Sequence, residues 1–136
     1  MVARFRVLIV LLLMSLAAVS CDQTVIVITG NYAGTQNFGI GQVGSFFAIS
    51  ITQDSAVITG RVNLPFQTTT VPIMNGTMSG NRFQFDAVNN GTTFRYSGTS
   101  QNDTLMGNFE PLGCVVPSSG QPCLTDSNGT FTATKQ

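Results

Sequence analysis

The chain has no histidine and no tryptophan, and only 9% of its residues are charged. Each shortage removes a class of chemistry. Without histidine there is no Ser–His or Cys–His pair in which an imidazole activates a nucleophile. The commonest nitrogen ligand for a metal is missing too, so a site built on the two downstream cysteines, Cys114 and Cys123, lacks companions. Basic residues are few and scattered. Apart from Arg4 and Arg6 they are Arg61, Arg82, Arg95 and Lys135, which make no clustered basic face for nucleic acid. Six carboxylates remain, at Asp22, Asp54, Asp86, Asp103, Glu110 and Asp126. Their number alone leaves room for a two-carboxylate hydrolase. Asp54 and Asp103, however, fall in turn-like stretches, and Asp86 falls on the polar side of an alternating run. Glu110, at a strand end, is the acid with least structural explanation. No catalytic residue, cofactor or metal site is assigned.

Long apolar runs are lacking as well, with one exception at the start. Arg4 and Arg6 precede residues 7–19, which are apolar except for Ser15. As a helix this run spans about 20 Å, short of the roughly 30 Å of a bilayer core. A positive start, a short apolar stretch and a small-residue end define a secretory signal peptide over 1–20. The segment ends Leu16-Ala17-Ala18-Val19-Ser20-Cys21. This resembles a bacterial lipobox, with Ala18 where Leu or a similar aliphatic residue is usual. The resemblance implies that Cys21 is acylated and becomes the new N-terminus, followed by a short linker, 21–23. An Ala-x-Ala cleavage site, Ala18-Val19-Ser20, also cuts before Cys21. Lipid on Cys21 accounts for the odd cysteine count and leaves Cys114 and Cys123 as a pair. A disulfide between them suits an oxidising compartment. It closes a loop of about ten residues, worth roughly 2–3 kcal/mol in the chain-entropy account. Removing 1–20 also removes two positive charges, so the mature chain carries a net charge of about −2.

What remains, 24–136, shows no sustained three-to-four-residue periodicity. It is a series of short alternating runs separated by Gly, Asn, Asp and Ser, the pattern of strands joined by tight turns. Eight strands are predicted, at 24–33, 45–52, 56–64, 71–79, 82–88, 92–99, 104–110 and 130–134. In Arg82-Phe83-Gln84-Phe85-Asp86-Ala87 one face is apolar and the other polar. Phe94 and Tyr96 share a face, as do Phe131 and Ala133. One buried and one wet face is the mark of an antiparallel meander. Eight strands of this length can close into a small up-and-down barrel. Asn75-Gly76-Thr77 and Ser97-Gly98-Thr99 form a weak repeat about 22 residues apart, and glycines inside strands suit the bends a barrel needs. Gly39, Gly41 and Gly44 match a Gly-x-Gly-x-x-Gly phosphate loop, but the strand-like Ser45-Phe46-Phe47 follows instead of a helix, so a loop between the first two strands is expected. Asn75, Asn90, Asn102 and Asn128 stand in Asn-x-Thr sequons, read here as turn formers.

Tyr96-Ser97-Gly98-Thr99, the Ser79-Gly80-Asn81 turn and the closing Gly129-Thr130-Phe131-Thr132-Ala133-Thr134 resemble the small calycin-like barrels of bacterial lipoproteins, of lipocalin and avidin architecture. The likeness covers about 24–135. It implies an all-β, eight-stranded antiparallel barrel with a ligand cavity, for which Phe47, Phe83, Phe85, Phe94, Tyr96 and Phe131 are the candidate lining residues. The opening Gly-x-Trp of those relatives is replaced by Gly30-Asn31-Tyr32. The expected function is a non-enzymatic, lipid-anchored module of the cell envelope, on the periplasmic or cell-surface side. Its partners would be the membrane, through the lipid, and a small apolar ligand or a protein, with no nucleic acid. A structural, assembly or adhesion role and protease inhibition are the alternatives, with a hydrolase behind them. Most of the aromatic set is expected to be core.

Overall fold

Among the described residues, the β-branched stretch 26–29 lies outside the strands. The computed structural model describes residues 26–39, 44–64, 69–115 and 128–136. The export segment, Cys21 and Cys123 lie outside them. The first strand, β1, is Gly30–Phe38, followed by β2 (Ser45–Asp54), β3 (Val57–Asn63), β4 (Thr70–Pro72), β5 (Met74–Ser79), β6 (Arg82–Asn89), β7 (Thr92–Gln101), β8 (Thr104–Cys114) and β9 (Gly129–Lys135). Short β4 and β5 occupy one position in the sheet. Both pair with β3, and Ile73 between them donates its N–H to the Gly60 carbonyl at 2.9 Å. The single strand expected over 71–79 is therefore present but broken at Ile73. Neighbours in sequence are neighbours in space throughout, and β9 returns to pair with β1. The result is a closed, antiparallel, eight-stranded up-and-down barrel, consistent with the calycin-like expectation. Every strand except the short β4, which pairs with β3 alone among the described residues, has partners on both sides, which removes most of the sticky edge of an open sheet.

Local chemistry explains the turns. Ser55-Ala56, Gly80-Asn81, Asn90-Gly91 and Asn102-Asp103 are two-residue connections, flanked by the pairs Asp54↔Val57, Ser79↔Arg82, Asn89↔Thr92 and Gln101↔Thr104. Asn90 and Gly91 both have positive φ (46° and 79°), as do Asn102 and Asp103 (49° and 59°). That is the primed turn whose twist suits a hairpin, and Asn, Asp and Gly tolerate it best.

The walls bend where inward positions are glycine. Gly98 and Gly107 face each other across β7 and β8. A Cβ on Gly98 would lie 2.2 Å from the Met106 carbonyl oxygen, and one on Gly107 2.1 Å from that of Ser97. The strands approach more closely than any side chain allows. Rings from other strands fill the space above them. Phe47 on β2 and Phe83 and Phe85 on β6 point inward with Tyr96, Phe109 and Phe131.

One end of the barrel is sealed by residues 26–29. Ile28 is fully buried in the core. Its N–H donates to Gln53 Oε1 (2.9 Å) and its carbonyl accepts from the Tyr32 hydroxyl (3.0 Å). Gln53 Nε2 also donates to the Ile26 carbonyl at 3.3 Å. On the far side, Ile26 and Val27 share a crevice with Asn81, Ser100 and Asp103. The segment thus crosses from the β2–β3 turn to the turns opposite. Its β-branched residues are used as a plug, and β1 is built instead from the more polar 30–38.

Candidate functional site

The six aromatic residues expected to line a cavity all point into the barrel, and all are buried. Their rings touch one another. Phe85 stacks on Tyr96 with centroids 4.9 Å apart, Tyr96 meets Phe131 at 5.6 Å, and Phe131 meets Phe47 at 5.1 Å and Phe83 at 6.0 Å. Phe94 joins through Phe109, at 6.5 Å. Aromatic pairs at these separations gain about 0.5–1.5 kcal/mol beyond the burial of their surface. The barrel interior is a ring cluster that the chain makes with itself.

Polar groups enter this interior towards the end opposite the plug. Gln36 and Ser45, direct cross-strand partners on β1 and β2, point inward beside the rings. Gln36 Oε1, Ser45 Oγ and the Tyr96 hydroxyl are buried and form no hydrogen bond among the described residues. Gln36 Nε2 does donate, to the Phe46 carbonyl at 3.4 Å. Burial pushes the Tyr96 phenol well above its ordinary range. Tyr32, near the plug, is raised mainly by burial and further by the charge of Asp103. Where the β2–β3 ladder stops at Ile49↔Val62, the Asn63 side chain takes over. Its Oδ1 accepts from the Ala48 N–H, and its Nδ2 donates to the Phe46 carbonyl at 3.3 Å.

The polar face of β6 holds a feature that alternation alone does not reveal. Asp86 points outward yet is buried, because Arg95 and Asn75 cover it. Arg95 binds it twice, Nε to Oδ1 at 2.9 Å and Nη2 to Oδ2 at 3.1 Å, and Asn75 Nδ2 donates to Oδ2 at 3.0 Å. Asn75 reaches it from a bulge in β5, at φ 51°. Its sequon-like setting thus serves a wall contact, not a hairpin tip. The Arg95 hydrogen bonds hold the Asp86 carboxyl below the usual carboxylate range against the opposing effect of burial, and Asn75 adds to the lowering. A carboxylate so neutralised is poorly suited to proton transfer.

A partly polar concavity lies outside, on the wall formed by β7, β8, β9 and β1. Ser97 pairs with Asn108, Asn108 with Thr130, and Thr130 with Asn37, so four exposed polar side chains form one continuous row across four strands. The groove encloses about 720 Å³ and is completed by Glu110, Asn128, Phe109, Gly129 and Gly39. Glu110 is thereby given a setting: it stands at the groove opposite Arg95 in the β7–β8 register. Asp54 and Asp103 sit at the ends of hairpins, as expected. Cys114 ends β8 and is engaged, not free. The Gly39–Gly44 stretch separates β1 from β2, so no helix start follows it. Among the described residues no three metal-ligating side chains come together. Compared with known proteins, the chain matches no family model, no curated sequence and no solved structure.

Proposed function

We propose that this chain is an exported, non-enzymatic binding module, tethered to a membrane by lipid on Cys21, that engages its partner through the outer wall of the barrel. The observation that carries this reading is the interior. The rings of Phe47, Phe83, Phe85, Tyr96 and Phe131 are in mutual contact, so the apolar surface that would hold a small ligand already packs against itself. A polar concavity of about 720 Å³ is on the wall instead. The plug at 26–29 supports the tether. Cys21 stands five residues before Ile26, a reach of at most about 17 Å. The sealed end would therefore face the membrane, and the end bearing the 114–128 connection would face away. A Cys114–Cys123 disulfide would pin that connection to β8, and the engaged state of Cys114 supports it.

Native mass spectrometry of the detergent-solubilised protein tests the reading in one measurement. The expected species carries a lipid mass on Cys21, lacks two hydrogens at Cys114 and Cys123, and holds no apolar ligand. Unmodified Cys21 in the mature protein would overturn the tether, and free thiols would overturn the disulfide. A stoichiometric apolar molecule inside the barrel would overturn binding by the wall and restore the cavity reading of the six aromatic residues.

A further inference from the structure

We infer that the groove across β7, β8, β9 and β1 is a binding site for a neutral saccharide chain. This names the ligand class for the wall-binding reading above and rests on it. Four observations converge on that chemistry.

The first is the donor and acceptor set. Asn37, Asn108 and Asn128 each offer an amide with two donor hydrogens and an acceptor oxygen, and Ser97 and Thr130 offer hydroxyls. All five side chains are exposed, and none forms a hydrogen bond to another described residue. Such mixed donor–acceptor groups match ligand hydroxyls, each of which both donates and accepts.

The second is charge. Glu110 is the only ionisable group lining the groove among the described residues. The nearest cation in the register, Arg95, already binds Asp86 through two nitrogens. A phosphate or carboxylate ligand would find no cation there to receive it. A single carboxylate also falls short of a cation site.

The third is shape. Three strand spacings separate Ser97 from Asn37, about 14 Å, on the order of three sugar rings laid end to end. The row is unbroken because its members are direct register partners. Phe109 and Gly129 face the barrel interior, so the groove meets a ligand through the polar side chains of the row.

The fourth separates a saccharide from a peptide. An extended peptide is recognised chiefly through backbone hydrogen bonds to an open strand edge. Here β7, β8, β9 and β1 are each paired on both sides, so the site presents side chains alone.

The test is a two-dimensional NMR titration of the mature protein with β-1,4-linked tetrasaccharides, one of N-acetylglucosamine and one of glucose. Binding of at least one should shift the side-chain amide signals of Asn37, Asn108 and Asn128. Replacing two exposed hydrogen-bonding groups, in the Asn37→Ala/Asn108→Ala double variant, should weaken binding about tenfold or more. Thr59→Ala, on the outer face of β3, should leave it unchanged. Both variants change exposed wall positions, and unchanged thermal midpoints would show the fold intact. No shift with either tetrasaccharide overturns the inference. Binding unaffected by the double variant also overturns it. Shifts confined to the β2–β3 wall overturn this groove while leaving a wall-binding module in place. An apolar ligand found inside the barrel overturns the wall-binding reading itself.

Discussion

Tyr96→Phe removes one oxygen and nothing else from the centre of the ring cluster. The Tyr96 side chain has no exposed surface, and its hydroxyl forms no hydrogen bond among the described residues. Enclosing a hydroxyl without a partner costs about 1–3 kcal/mol, and deleting it leaves the stacked ring in place against Phe85 and Phe109. The variant should therefore be more stable by about 1 kcal/mol. In a domain of this size that raises the thermal midpoint by about 4 °C. In urea, the midpoint should rise at unchanged slope, because the surface exposed on unfolding is the same. The reasoning has a second arm in pH. Burial raises the phenol above its ordinary value near 10, so in strong alkali the unfolded chain releases this proton while the folded chain keeps it. The unfolded state then binds fewer protons, and stability falls as pH climbs above about 10. Tyr96→Phe should flatten that fall, leaving the smaller contribution of Tyr32. A variant destabilised by 1 kcal/mol or more at pH 7 would refute the argument, since the hydroxyl would then have a partner worth keeping.

Two further substitutions probe the wall. Arg95→Ala strips Asp86 of its bidentate partner and leaves a buried carboxylate held by Asn75 alone; a lower urea midpoint at pH 7 is expected, moderated by the partial exposure of Arg95. Because the folded-state carboxyl titrates below its unfolded value, the stability Asp86 contributes is present above about pH 4 and lost as pH falls further. Asp86→Asn should accordingly flatten the acid limb of the stability profile, and an unchanged limb would show that the ion pair contributes nothing. Gly98→Ala places a Cβ against the Met106 carbonyl oxygen at 2.2 Å, so the β7–β8 ladder must part. A loss of about 2–3 kcal/mol by calorimetry is expected, and a neutral result would mean that the strands have slack at this point.

Much of the barrel is legible in local patterns. The alternation at 82–87, the paired aromatic residues at 94 and 96, and the Asn-Gly and Asn-Asp dipeptides predict β6, β7 and their turns, and the observed strands extend the predicted ones by a residue or two. The prediction for the first strand misplaces it. Residues 24–29 carry the strongest β-branched signal in the chain, whereas the strand runs on to Phe38 through Gly34, Gln36 and Asn37, which carry almost none. The plug explains the mismatch: Ile28 is buried as an end cap, and β-branched residues suit any packed extended segment, inside a sheet or not. Asp86 was equally out of reach. Its position in the alternation marks it as wet, and only the approach of Arg95 from β7 and Asn75 from the β5 bulge makes it buried.

The groove shows the same division. Asn37, Ser97, Asn108 and Thr130 are spread over almost a hundred residues and share no motif. By itself the sequence determined the period-two strands, the tight turns, the inward aromatic set and the scarcity of charge, because each depends on residues a few positions apart. Only the tertiary structure decided which end the 26–29 segment closes, how far the rings fill the interior, and which polar side chains stand in one row. Those depend on register and closure, and a slip of one residue in any strand would send every outward side chain inward.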